Sequence, residues 1–178
     1  MRGALPEDSH PLDRLLAGGR HCRLLMAWRP PIGLKLPELT DFERVACLAR
    51  PAEPMLGTVV ADALRLPFVE ALFDRALVTS PLPGSRAREE LRELWRVLTP
   101  ASLTLLVVKA RRPWQWQAPG WLQDDLAPLL ADTMFDVLDW RIETLPQRFH
   151  LILVGKADGL APTMIGRVEE VTAPAVAM

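Results

Sequence analysis

The run at residues 103–108 is the part of this 178-residue chain that most constrains its fold. It reads Leu-Thr-Leu-Leu-Val-Val, so it is almost wholly apolar and carries no charge. A strand with one solvated face alternates apolar and polar residues, whereas a strand covered on both faces is apolar nearly throughout. The run therefore predicts a central strand of a mainly parallel sheet.

Shorter apolar runs alternate with helical segments along most of the chain. Further strands are predicted at residues 22–28, 44–48, 58–61, 75–79, 135–142 and 149–154, and helices at residues 11–16, 85–98 and 121–134. This order predicts an α/β fold with a mostly parallel sheet. The tight turn Leu145-Pro146-Gln147 predicts that the last two strands pair antiparallel at one edge. The 17 prolines predict short helices.

The segment 85–98 carries the clearest helical pattern. Its apolar residues recur at three- and four-residue steps: Ala87, Leu91, Leu94, Trp95 and Leu98. Ser85 can cap the first turn. Basic residues of this segment are interleaved with Glu89, Glu90 and Glu93 at helical spacing, which predicts a solvated face.

Composition limits the classes of partner and location. The formal net charge of −1 gives the protein no overall positive potential that would favour binding to nucleic acid or to an anionic membrane. Cys22 and Cys47 lie in apolar runs and do not make a disulfide framework. The three histidines, His10, His21 and His150, are too far apart in sequence to suggest a metal site. The sequence shows neither the apolar stretch of a signal peptide nor an apolar segment of about 20 residues that could span a membrane. A cytoplasmic location is therefore the default expectation.

The length predicts one folded domain. We expect an N-terminal extension at residues 1–20, an α/β domain at residues 21–156 and a tail at residues 157–178, where periodicity is weak.

Several motifs in the middle of the chain carry a family resemblance. Asp62 follows a predicted strand, the turn Leu66-Pro67-Phe68 comes next, and Phe73-Asp74 enters the following strand. The motif Glu93-Leu-Trp-Arg-Val-Leu-Thr-Pro100 precedes the central strand. Together these residues resemble the middle of a class I S-adenosylmethionine (SAM) dependent methyltransferase, of the methyltransferase type 11 kind. The resemblance spans roughly residues 22–155 and implies a Rossmann-like fold: a mostly parallel seven-stranded sheet with an antiparallel edge strand, here with shortened helices.

The same resemblance implies a cofactor site that this chain matches only in part. Asp62 and Ala63 match the position that faces the adenine, and Ala27 and Gly33 match the loop after the first strand. That loop is glycine-rich in the family, because the backbone must approach the cofactor closely. Here the loop keeps only Gly33 and has Trp28 and two prolines in place of small residues.

Two further family features are altered. The stretch 45–50 lacks the acidic residue that takes the ribose hydroxyls in the family. The Gly-Gly turn before the central strand is replaced by Ala101-Ser102, so the backbone there must avoid a positive φ or accept strain.

Two functions remain open on the sequence. The first is a degenerate methyltransferase-like protein with weak or no SAM binding, which acts as a structural or regulatory partner of another protein or by pairing with itself. The alternative is an active SAM-dependent small-molecule methyltransferase with a divergent cofactor loop. A cluster of Trp114, Trp116 and Trp121 follows several basic residues. It would serve as a partner-binding anchor, as an aromatic lid, or as a cover for the sheet.

Overall fold

The computed structural model describes residues 9–17, 19–31, 33–36, 39–52, 54, 56–80, 84–114 and 118–157. Trp116 and the predicted tail from residue 158 onward lie outside the described residues. The α-helices are α1 (Pro11–Leu16), α2 (Ala87–Val97) and α3 (Gln123–Asp132), and a short 3-10 helix covers Gly19–His21. The strands are β1 (Arg23–Ala27), β2 (Arg44–Ala49), β3 (Val59–Val60), β4 (Phe73–Ser80), β5 (Leu98–Lys109), β6 (Phe135–Leu145) and β7 (Gln147–Lys156).

The seven strands form one sheet in the order β3-β2-β1-β4-β5-β7-β6. The first five of these pair in parallel, whereas β7 runs antiparallel to both β5 and β6. The mostly parallel sheet with an antiparallel pair at one edge confirms the predicted fold class. The tight turn after Leu145 makes the β6–β7 hairpin, as expected.

The central position of β5 is also confirmed. Leu106 and Val108 point into a core that contains α2 and α3, whereas Leu105 and Val107 point into a second core that contains α1. All four side chains are buried. Because successive residues of a strand face opposite sides, an apolar run without alternation fits a strand covered on both faces.

The two faces are covered unequally. On one face, here called the α2/α3 face, two helices of 11 and 10 residues pack on the sheet. On the other, the α1 face, the described cover is the six-residue α1 together with partly buried side chains such as Leu34 and Leu36. In the described residues no helix connects β1 to β2, β2 to β3, or β3 to β4. This agrees with the expectation of shortened helices.

Polar contacts hold α1 on its face near the β6 edge. His10 caps α1, because its Nδ1 accepts the backbone N–H of Leu12 at 3.2 Å. The other ring nitrogen lies 2.7 Å from Glu143 of β6. Arg141 of β6 donates to the backbone carbonyl of Ser9 at 3.0 Å. The short helix is therefore fixed at its amino end by residues far along the chain.

The start of the helix at residues 85–98 differs from the prediction. Ser85 does not cap it; Arg86 occupies the N-cap position and makes no side-chain capping bond. At the other end, β5 begins at Leu98 directly after α2 and includes Pro100. The substituted turn takes the strained option, because Ala101 has a φ of 57°.

Candidate functional site

The sheet order places a topological switch point between β1 and β4. These neighbours are parallel, and successive strands lead outward from them in opposite directions along the sheet. In open α/β sheets, ligands bind in the crevice beyond the carboxyl ends of the strands at such a point. The residue that follows β1 is Trp28.

Trp28 closes this crevice with its own side chain. Its exposed fraction is 8%, and its backbone N–H donates to the carbonyl of Leu48 at 3.2 Å. The backbone φ is 70°, a left-handed conformation that is unusual for a bulky residue. The space left beside the indole is about 20 Å³, bordered by Ala27, Ala63, Leu66, Val78, Glu90, Leu91 and Leu94. A space of that size holds about one water molecule.

A charged pair covers the outer side of the Trp28 ring. Arg50, which directly follows β2, places its guanidinium carbon 4.8 Å from the ring centroid. The same guanidinium lies 4.0 Å from the carboxylate of Glu90 on α2, and the Glu90 side chain is only 9% exposed. A guanidinium over the face of an indole is attracted by the ring quadrupole. The crevice is thus occupied by the indole of Trp28, and the guanidinium of Arg50 covers that ring.

Asp62 lies in an open groove beside this closed crevice. The groove has a volume of about 390 Å³ and is bordered by Arg50, Pro51, Ala52, Ala61, Asp62, Ala63, Arg86 and Glu90. Asp62 is exposed, and its Oδ1 accepts the backbone N–H of Leu64 at 3.1 Å. The side chain therefore stabilises its own turn while it faces the groove.

Two residues of α2 clamp the turn that follows Asp62. Arg96 donates to both carboxylate oxygens of Glu93, at 2.7 and 2.9 Å, and to the backbone carbonyls of Leu66 and Phe68, at 3.2 and 3.0 Å. Glu93 in turn accepts the backbone N–H of Leu66 at 2.7 Å. The hydrogen bonds from Arg96 are the main cause that holds the pKa of Glu93 below its ordinary value. The Glu-x-x-Arg and Leu-Pro-Phe motifs are therefore one structural unit.

The entry to β4 is fixed in a similar way. Asp74 accepts the backbone N–H of Arg23 at 2.9 Å and lies 3.3 Å from the hydroxyl of Thr99. Its carboxylate thus joins β1, β4 and β5 at their amino ends, far from the carboxyl-end crevice. This contact explains the motif residue by fold rather than by ligand binding.

The loop after β5 is closed at its base by backbone bonds. Trp121 N–H donates to the carbonyl of Lys109, and Arg111 N–H donates to the carbonyl of Trp121, both at 2.9 Å. Gly120 has a φ of 134°, and a Cβ there would lie 2.8 Å from the Lys109 carbonyl, so only glycine fits. Trp114 is 66% exposed, and its ring centroid lies 5.4 Å from the guanidinium carbon of Arg112. The loop therefore presents an indole beside a cation on a fixed base.

His150 supports this loop from beneath. The indole N–H of Trp140 donates to its Nδ1 at 3.1 Å, so Nε2 carries the proton and donates to the carbonyl of Trp121 at 3.0 Å. Burial is the main cause that lowers the pKa of His150. His150 is therefore a buried residue whose two ring nitrogens both have hydrogen-bond partners.

Other chemistry finds little support in the described residues. No group of three His, Cys, Asp or Glu side chains there could hold a metal ion. Cys22 and Cys47 form no disulfide within the described residues, and burial raises the pKa of the Cys47 thiol, which disfavours its reactive thiolate. No helix in the same part of the chain is long and apolar enough to cross a membrane.

Comparisons with known proteins bear on the fold alone. No protein-family model and no curated protein matches the sequence. Among solved structures, a SAM-dependent methyltransferase from Methanosarcina mazei superposes with a TM-score of 0.61 at 17% identity, over 84% of this chain and 98% of that one. The 1,6-didemethyltoxoflavin-N1-methyltransferase of Burkholderia thailandensis, with S-adenosylhomocysteine bound, gives 0.61 at 16% identity over 85% and 80%. A chain from the Haloferax volcanii complex between the Trm112 methyltransferase activator and a methyltransferase gives 0.60 at 13% identity over 83% and 86%.

The chain has the class I methyltransferase fold.

In this methyltransferase fold, the predicted cofactor residues do not all line one site. Ala27 and Ala63 border the small space beside Trp28, and Asp62 and Ala63 border the open groove. Gly33 lies in an exposed turn with a φ of 104° and borders neither. Of the predicted partner-binding residues, Trp114 is exposed, whereas Trp121 is half-buried at the loop base.

Sequence reasoning missed the cation and the acid that close the crevice of this methyltransferase fold. The stretch 45–50 shows only that a carboxylate is missing, and the spacing of Glu90 predicts a solvated helix face. The solvated face is right for Glu89 but wrong for Glu90 and Glu93, whose side chains are largely buried against other elements. Helical spacing alone does not reveal this, because Glu90 is covered by Arg50, which follows β2, and Glu93 accepts the backbone N–H of Leu66 in addition to its bonds from Arg96 on α2 itself.

Proposed function

We propose that this protein is a non-catalytic representative of the methyltransferase fold, which binds SAM weakly or not at all and acts as a structural or regulatory partner of another protein. The observation that carries the proposal is the buried indole of Trp28 at the switch point. A ligand could enter that crevice only if the ring and the Arg50–Glu90 pair above it moved together.

The residues around the crevice do not fit SAM. The loop after β1 places an indole where the family has glycine, and Pro30 and Pro31 supply no backbone N–H. Arg50 stands at the end of β2, where an acidic side chain would accept the ribose hydroxyls. A guanidinium has donors but no acceptor, so it cannot replace that carboxylate.

One observation favours the alternative, an active small-molecule methyltransferase. Asp62 and Ala63 border an open groove of about 390 Å³ at the carboxyl edge of the sheet. In that function they would hold the cofactor from the groove side, and transfer would rest on alignment of donor and acceptor. Asp62 already serves its own turn through Leu64, however, which accounts for the carboxylate without a ligand.

The loop after β5 is the proposed contact surface for the partner protein. Trp and Arg side chains contribute most of the binding energy in many interfaces. Here Trp114 and Arg112 stand together on a loop whose base is fixed by Trp121 and Gly120. Trp116 belongs to the same proposed surface on sequence grounds. A neighbouring solved structure is a complex with a methyltransferase activator, which supports a partner role for this fold.

Calorimetric titration of S-adenosylhomocysteine and SAM separates the two functions. We expect no binding heat at about millimolar ligand, which corresponds to less than about 4 kcal/mol of binding free energy. Micromolar binding that Asp62→Ala abolishes, and that the remote exposed change Asp136→Ala preserves, would overturn the proposal. Because the chain has six tryptophans, a change of tryptophan fluorescence in the same titration is assigned to Trp28 only if Trp28→Phe removes it.

A further inference from the structure

The two edges of the sheet differ in how they are protected. Strand β3 forms one edge and has only two residues, Val59 and Val60. Strand β6 forms the other edge and has 11 residues, with β7 as its single neighbour in the described part of the chain. A long edge strand presents a row of backbone donors and acceptors that can pair with another strand. A two-residue edge does not.

Strand β6 lacks two residue types that block such pairing, although four of its 11 residues are charged. Its sequence from Phe135 to Leu145 contains neither lysine nor proline. A register irregularity between Val137 and Asp139 interrupts its first third, and pairing with β7 is regular from residue 139 to residue 145. Exposed apolar side chains lie along the strand: Val137, Leu138 and Ile142, each 43–47% exposed.

The regular segment is complementary to itself. Its central residue is Ile142, and antiparallel pairing with a second copy about that residue would place Arg141 opposite Glu143 of the other copy. The two side chains share a face, because they pair with Leu151 and Phe149, which lie on the α1 face. A two-fold axis would repeat the contact, so two opposite-charge pairs would flank the central isoleucines.

Both charged side chains are already held in place. Arg141 donates to the Ser9 carbonyl at 3.0 Å and lies 3.2 Å from Asp139. Glu143 lies 2.7 Å from the His10 ring. Side chains ordered before association lose less conformational entropy when they bind.

We propose that two copies of this chain pair through their β6 edges, antiparallel and centred on Ile142, so that their sheets continue as one. The charge pattern has two-fold self-complementarity, which favours a second copy over an unrelated strand. This inference rests on β6 and not on the cofactor crevice, so it stands or falls separately from the proposed function.

Analytical ultracentrifugation of the full chain tests the edge. We expect a dimer for the wild type and, at the same concentration, a monomer for Ile142→Lys, with at least about tenfold weaker self-association. Val59→Lys puts the same charge on the short edge, at a residue of similar exposure, and should stay dimeric. A wild type that is monomeric up to about 0.5 mM, or a dimer that survives Ile142→Lys, would overturn the proposal.

A cysteine scan tests the register. Opposite residues on antiparallel strands have Cα atoms about 4.5–5.5 Å apart, which is within disulfide range. Ile142→Cys should therefore give a covalent dimer under mild oxidation, at a yield well above the wild type with its two half-buried cysteines. Val137→Cys lies outside the paired segment and should not. Equal cross-linking of the two variants would exclude the proposed register.

Discussion

Arg96→Met should destabilise the protein well beyond the cost of an ordinary surface substitution, because the Arg96 side chain is bound at four points. Two bonds reach Glu93 and two reach the carbonyls of residues 66 and 68, all between 2.7 and 3.2 Å. Hydrogen bonds to charged groups contribute about 1.5–3 kcal/mol each when buried and less when solvated. With Arg96 31% and Glu93 14% exposed, we expect a loss of about 2–4 kcal/mol in unfolding free energy.

A double-mutant cycle isolates the part that belongs to the pair. Glu93→Gln removes the charge and keeps the shape, and its coupling with Arg96→Met should be about 1–2 kcal/mol. The matched control is the Arg86–Glu89 pair at the start of the same helix, with the same three-residue spacing. Those side chains are 4.0 Å apart and more than half exposed, so the coupling of Arg86→Met with Glu89→Gln should fall below about 0.5 kcal/mol.

Urea unfolding followed by tryptophan fluorescence gives all the free energies, and amide exchange at Leu66 gives a local readout. The Leu66 N–H is bonded to Glu93, so its exchange should accelerate in both single variants. Because the folded pKa of Glu93 is lowered, its contribution is present above its ordinary pKa and lost as the pH falls through the folded value. Equal couplings in the two pairs, or no exchange effect at Leu66, would refute the clamp.

Three further predictions concern strained and buried residues. Ala101→Gly should raise stability by about 0.5–1 kcal/mol because it relieves a positive φ at an exposed site, whereas Ala131→Gly in α3 should lower it by a similar amount. Trp28→Ala should lower the free energy of unfolding, measured by heat or urea, by about 3–5 kcal/mol. Trp28→Gly should lower it by about 0.5–1 kcal/mol less, although glycine is ordinarily less stabilising than alanine, because the backbone at this residue has a positive φ. Because burial lowers the pKa of His150, the unfolded chain takes up this proton more readily than the folded protein, so the free energy of unfolding should fall by up to about 1.4 kcal/mol per pH unit as the pH drops from the ordinary histidine pKa toward the folded value. His150→Gln should flatten that slope in pH-dependent unfolding; an unchanged slope in this variant would contradict the assignment.

The sequence carries enough information for the sheet and little for the crevice. The 103–108 run and the hairpin around Pro146 are local patterns, since burial on both faces and a tight turn leave direct traces in composition. The predicted Ser85 cap was wrong, because α2 begins after Arg86 and takes that residue as its N-cap. A one-residue shift of this kind is below what propensities resolve.

The closure of the crevice depends on contacts between distant segments. Trp28, Arg50 and Glu90 come from the ends of β1 and β2 and from α2. The sequence showed that Trp28 was out of place in a glycine loop, but not which way its ring points. That direction depends on the left-handed backbone at residue 28, which no local pattern announces.

The positive φ of Trp28 has a consequence for how permanent the closed crevice is. The main chain at Trp28 has a conformation that glycine adopts readily. The crevice is therefore closed by the side chain of this residue and not by a rearranged backbone. A single base change in a tryptophan codon yields glycine, the residue that fits this path with least strain. One substitution, Trp28→Gly, would therefore remove the side chain that closes the crevice. Its cost would be the lost packing of the indole and not a change in the conformation of the main chain.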